Sequence, residues 1–252
     1  MVLDFNLTLF SFVFMRMTGC ILFNPIFGRK NLPAILKIGM ALLLALFTYA
    51  TIPDKVIEVN SVIVYSVMLV KELLVGFIVG YIIQLFMSVF IISGEVIDFQ
   101  MGIAMANMYD PQSNISMPVS ASIMNCMYIL LFFAANAHIT MIKIFCQLGT
   151  ISPYGSIAFS SGIFEELVGL FSIILVYAVK LAMPILAVEM IVEMGVGLLM
   201  KAVPQINVFI INIQFKIFIG FIAIMVLVPS LSTFLELMTT KMFDEIQLIF
   251  GI

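Results

Sequence analysis

The chain has 252 residues, of which 63% are hydrophobic and only 10% charged, and its 11 basic and 14 acidic side chains leave a net charge of -3. Soluble domains are about 45–50% apolar and about 25% charged, so water is not the main solvent, and residues 1–252 read as one integral membrane unit. The charges form no block of one sign, which argues against nucleic acid as a partner.

The N-terminus carries Asp4 rather than a basic cluster, and its first positive charge, Arg16, lies inside an apolar run. That is a poor match to a cleaved signal peptide. Six apolar stretches follow in order, approximately 7–27, 38–52, 62–92, 119–135, 163–192 and 203–235. Each is predicted to be helical, because the runs are too long for strands and lack a period of two, and a helix satisfies its own backbone in lipid. Crossing about 30 Å of hydrocarbon takes roughly 20 helical residues. Stretch 38–52 is therefore short, and 62–92 is long enough to overshoot or kink.

Breaks are predicted at Asn24-Pro25, Asn31-Leu32-Pro33, Pro53-Asp54, Asp110-Pro111, Ser152-Pro153 and Ala202-Val203-Pro204, since proline and the residue before it leave the helical region. Two connections are roomy, 93–118 and 136–162, and function is expected there. Basic residues in the loops leave orientation open, with Arg29, Lys30, Lys37 and Lys201 on one side and Lys55, Lys143 and Lys241 on the other. Trp is absent and Tyr occurs 7 times, so an interfacial aromatic belt is only partly built.

Arg16, Lys71, Glu72, Lys180, Glu189 and Glu193 lie within or at the ends of apolar stretches. An unpaired charge there costs several kcal/mol, by the lower estimates about 3, so each is expected to be a buried paired charge or an inter-subunit contact. Glu189 and Glu193 are one helical turn apart and repel, which implies a cation outside their helix, in this chain or in another subunit. Snorkelling to headgroups and a proton relay are the two readings of the set.

Cys20, Cys126 and Cys146 are widely spaced in apolar surroundings and are expected to be buried thiols rather than a disulfide framework or metal site. His138, the only histidine, has no ligand neighbour in sequence. No cofactor or metal is expected. A hydrolase would need His138 with Ser160 or Ser161, and neither serine has nucleophile-elbow spacing. Gly76 and Gly80 form a small-xxx-small spacing, and Gly195 and Gly197 come near one, which permits close helix contact.

Segment 94–118, GEVIDFQMGIAMANMYDPQSNISMP, is polar where its neighbours are not, with methionines at 101, 105, 108 and 117. Methionine is unbranched and adaptable, so the cluster reads either as a soft contact surface or as Met standing in for Leu. The order Gly94…Asp98-Phe99-Gln100-Met101-Gly102, Asp110-Pro111, Met117-Pro118-Val119, then Asn136 before His138, and Ala202-Val203-Pro204-Gln205-Ile206-Asn207-Val208-Phe209, resembles the FliR/SctT family of type III secretion export-gate proteins over nearly the whole chain. One departure is visible: the family's Gly-Phe-Pro-like turn is replaced by Ile211-Asn212-Ile213-Gln214.

The resemblance implies an all-α membrane protein whose kinked hairpins join a helical assembly rather than a simple spanning bundle. It implies FliP-like and FliQ-like partner subunits, an FlhB-like subunit, unfolded flagellar export substrates and surrounding membrane lipid. The location implied is the bacterial inner membrane, multi-pass, in the flagellar basal body, with no catalysis by this chain. Approximately 1–200 would be a FliP-like part and 201–252 a FliQ-like hairpin part. The resemblance also assigns a pore-plug loop, in which Met101, Met105 and Met108 would give soft apolar contacts, Gln100, Asn107 and Asp110 would anchor by hydrogen bonds, and Pro111 would fix the turn. Competing readings are an injectisome homologue, a small-solute transporter with Lys71, Lys180, Glu189 and Glu193 at a midplane site, and the hydrolase. Asp110-Pro111 and Met117-Pro118 favour the flagellar version.

Overall fold

A computed structural model describes residues 6–52, 59, 61–103, 118–155, 162–202 and 208–250, with the backbone alone for 150, 151 and 208–211. Among the described residues there are seven α-helices and no strand: α1 Leu7–Leu22, α2 Ala34–Thr51, α3 Val62–Met101, α4 Val119–Ala134, α5 Ala137–Ile151, α6 Ile163–Ala202 and α7 Val208–Phe250. The protein is an all-α membrane protein. Ala34–Thr51, Val62–Met101, Ile163–Ala202 and Asn212–Phe250 are each long and apolar enough to cross a bilayer.

Local chemistry accounts for the helix ends. The Asn6 side chain accepts from the backbone N–H groups of Thr8 and Leu9 at 3.0 and 3.1 Å, capping two of the orphan donors at the start of α1. Past α1, Asn24 Oδ1 accepts from Ile26 N and Phe27 N at 2.7 and 3.1 Å, an Asx turn that competes with further helix. Asn136 takes a left-handed φ of 55° between α4 and α5, a conformation asparagine tolerates better than most residues. Pro184 and Pro229 lie inside α6 and α7.

The structure departs from the sequence reading in three places. Helix α3 continues to Met101, so the polar residues of 94–101 lie on helix rather than in a connection, and on more than one face: Gly94, Ile97, Asp98 and Met101 are buried while Glu95 and Phe99 are exposed. Helix α5 fills much of the roomy connection 136–162. Cys20 is buried, but Cys126 is exposed and Cys146 half-buried. As the helical reading of 203–235 expects, Ile211-Asn212-Ile213-Gln214 is helical backbone in α7.

Two compact units are present, one of Met1–Phe86, Asn136–Leu170 and Thr240–Ile252, the other of Met87–Ala135 and Phe171–Thr239. A division near residue 200 falls inside the second. In the first unit α1 is central, packed by α2, α5 and the first half of α3. The Gly76 spacing explains its approach to α3: a Cβ on Gly76 would lie 2.7 Å from Cys20 N and 2.8 Å from the Gly19 Cα. Gly195 and Gly197, by contrast, have nothing within 4 Å of such a Cβ.

In the second unit α6 and α7 run antiparallel, since Tyr177 stacks edge-on to Phe234 while Glu193 meets Lys216 further along. The end of α3 packs on α4 through Phe90 and Tyr128, and a Cβ on Gly94 would collide with Ala121. These two helices have little side-chain volume between them at that crossing.

Candidate functional site: two buried polar clusters

Arg16 is buried on α1 in the first unit, and its partner is Glu72, 56 residues away on α3 and equally buried. Arg16 Nε donates to Glu72 Oε2 at 2.7 Å, and a second guanidinium nitrogen sits 2.6 Å from the same oxygen. The remaining terminal nitrogen donates to the carbonyls of Leu148 and Ser152 at 3.0 and 2.8 Å. The guanidinium lies 4.0 Å from the Tyr154 ring centroid, a cation–π contact. Gly155 N donates to Glu72 Oε1 at 2.8 Å.

The cluster therefore satisfies a charge pair that bare burial would make costly, and it ties α1, α3 and the end of α5 together. Burial pushes the Tyr154 hydroxyl above its ordinary range, so the ring facing Arg16 stays neutral. Arginine suits this place because its planar fork serves a carboxylate and two carbonyls at once.

In the second unit, Gln100 and Met101 form the end of α3. Gln100 Nε2 donates to Glu193 Oε2 at 3.3 Å, and Lys216 Nζ donates to the same oxygen at 3.1 Å and to the Gln100 carbonyl at 3.4 Å. The cation implied by the Glu189–Glu193 pair is thus Lys216 of α7, in the same chain. Sequence reasoning passed over it, although Lys216 is a charge within the apolar stretch 203–235 and meets the same criterion that picked out Arg16 and Glu72. Glu189 is fully buried, and neither carboxyl oxygen has a hydrogen-bond partner among the described residues.

Close by, Asp98 accepts from Ser120 Oγ at 2.5 Å and from Ser120 N at 3.2 Å. The N-cap of α4 is Pro118, which has no capping side chain. Asp98 thus supplies from another helix the carboxylate that a cap residue usually provides. This is a second contact that sequence spacing alone does not announce, since 22 residues separate the partners.

The other singled-out residues lie apart. Lys71 is half-buried, next to Glu72 in sequence. Lys180 is exposed, 5.8 Å from the Tyr177 ring centroid. Met105, Asn107, Met108, Asp110 and Pro111 fall outside the described residues, as do Ser160 and Ser161. Among the described residues no three His, Cys, Asp or Glu side chains stand close enough to hold a metal ion.

Comparison with known proteins gives the clusters their setting. The family model described as bacterial export proteins, family 1, matches residues 7–242. The chain is 28% identical to the flagellar biosynthetic protein FliR of Escherichia coli K12, covering 94% of this chain and 91% of that protein. It is 31% identical to the FliR of Bacillus subtilis 168, covering 86% and 85%. The Yop proteins translocation protein T of Yersinia pestis is 25% identical over 80% of this chain and 78% of its own length. With the match spanning residues 7–242, nearly all of it, the chain belongs to the bacterial export proteins, family 1.

Proposed function

We propose that the chain is a structural, pore-forming subunit of the flagellar type III protein export gate, through which unfolded flagellar proteins cross the bacterial inner membrane. It works without catalysis of its own, assembled with FliP-like and FliQ-like subunits and an FlhB-like subunit in the basal body. The observation that carries the assembled reading is the length of exposed apolar helix. Along α6, in the second unit alone, large apolar side chains are exposed from Phe171 to Met200. At 1.5 Å per residue that run is about 44 Å long, against about 30 Å of hydrocarbon. Lipid would cover it only at a tilt of about 47°, beyond the usual range of up to roughly 40°. Other protein covers the remainder.

The two named FliR relatives support the flagellar version, each matching more of this chain than the Yersinia protein does. Within this reading, Met105, Asn107, Met108, Asp110 and Pro111 form the plug of the closed pore, the methionines sealing it softly, while Gln100 and the buried Met101, at the end of α3, anchor it. In residues 201–252, taken within this reading as the FliQ-like part, the described backbone is the single helix α7, whose antiparallel partner α6 lies almost wholly before residue 201. Purification in mild detergent tests the assembly: a stable multi-subunit complex is expected, and a chain recovered alone and monodisperse overturns the proposal. Shortening 103–107 should raise ion leakage through the assembled gate, and unchanged conductance in an intact complex removes the plug.

A further inference from the structure

Three helices of the second unit meet around Lys216, and the charges there are distributed against the order solvation would set. Glu193, whose side chain is 55% exposed on the surface of this chain, holds the lysine. Glu189, one turn earlier on α6 and fully buried, has no hydrogen-bond partner among the described residues. A buried carboxyl without a partner is the costlier of the two to leave unserved. What favours the Glu193 seat is the end of α3: from there Lys216 also reaches the Gln100 carbonyl, and the Gln100 side chain donates to the same Glu193 oxygen.

The alternative seat is close. Among the described residues, the charges near Glu189 are those of Lys216 and Glu193. Residues one turn apart on a helix have Cβ atoms about 5–6 Å apart, a distance the flexible lysine stem covers by changing rotamers. Room is provided on α7 by Gly220, one turn beyond Lys216. A Cβ there would lie 2.7 Å from Glu189 Oε1 and would collide with Met101 Sδ. The buried carboxyl and the end of α3 therefore share the space beside that glycine.

We propose that Lys216 is a shared cation that alternates between Glu193 and Glu189, and that its seat decides whether the C-terminal end of α3 is held against α6 and α7. On Glu193 the lysine donates to the Gln100 carbonyl, at the helix end where a cation is favoured. On Glu189 it lets go of Glu193 and Gln100 together. The two seats make a bistable latch of the kind that turns a small side-chain shift into a two-state change. The latch rests on the export-gate reading, in which the segment after α3 closes the pore.

Two isosteric substitutions separate the seats, tested in the assembled gate complex by ion conductance in proteoliposomes and by export rate in cells. Glu193→Gln removes the holding seat and should raise conductance on the order of tenfold, the shift expected when one charged hydrogen bond favouring a state is lost. Glu189→Gln removes the releasing seat and should leave conductance at or below that of the unmodified complex while slowing export by a similar factor. Glu189→Met keeps the test open should the amide prevent assembly, because an apolar side chain suits that buried place, and it should behave as Glu189→Gln does.

Changes of the same sign from the two seats overturn the latch, because loss of a merely structural contact has no reason to differ in sign between them. So does the absence of any change in an intact complex. Shortening 103–107 separates the two failures. If it leaks while the seat variants act alike, the latch is wrong and the gate reading stands; if it does not leak, the gate reading fails and takes the latch with it.

Discussion

Replacing Arg16 with methionine keeps most of the side-chain volume and removes every polar contact the guanidinium makes. Among the described residues, Glu72 is then left buried with the Gly155 N–H as its one hydrogen-bond partner. The carbonyls of Leu148 and Ser152 lose their charged donor, and the Tyr154 ring loses the cation 4.0 Å from its centroid. Breaking a buried pair on one side costs about 3–5 kcal/mol, because the remaining charge keeps its desolvation penalty without the attraction that offset it. That is a large share of the roughly 5–15 kcal/mol that holds a typical domain folded.

The double variant Arg16→Met, Glu72→Met takes both charges away. Similar exchanges in other proteins are often neutral or stabilising, so most of the loss should return. Denaturant unfolding in detergent, followed by circular dichroism on the four proteins of a double-mutant cycle, measures the coupling directly. Arg16→Lys should fall between, since one ammonium cannot serve the carboxylate and both carbonyls in the arginine's fork geometry. An Arg16→Met protein within about 1 kcal/mol of the unmodified chain would refute the reasoning, since exposed ion pairs contribute that little and buried ones do not.

At the start of α4, Asp98→Ala should destabilise by about 1–2 kcal/mol as the cap is lost. Hydrogen exchange should rise first at Ser120 and its neighbours, and an unchanged exchange rate there would discard the cross-helix cap. Gly76→Ala forces α1 away from α3 and should lower stability by about 1–3 kcal/mol, read as a drop in thermal midpoint in detergent. Gly195→Ala, made at an open position in a helix interior, should instead raise the midpoint slightly, by up to about 1 kcal/mol of helix propensity. Equal effects at the two glycines would contradict the crossing geometry.

The amino-acid sequence by itself determined the solvent, the helical state and where α1, α3, α4 and α6 begin. Those properties depend on composition and on neighbours within a few residues: apolar runs too long for strands, Asn-Pro and Ser-Pro breaks, and charges too few to coat a soluble surface. It also marked which charges were out of place, because a lone Arg16 or Glu189 in an apolar run is costly wherever the chain goes. Whom those charges meet was decided only in three dimensions. Glu72 answers Arg16 across 56 positions and Ser120 answers Asp98 across 22, and helical periodicity carries no information about such distant pairings. The same holds for the polar segment after Gly94, whose first residues looked like a loop until packing showed Asp98 and Met101 buried on one face of α3. Gly76 and Gly195 look alike in sequence; only the helix lying against the first makes its missing side chain matter.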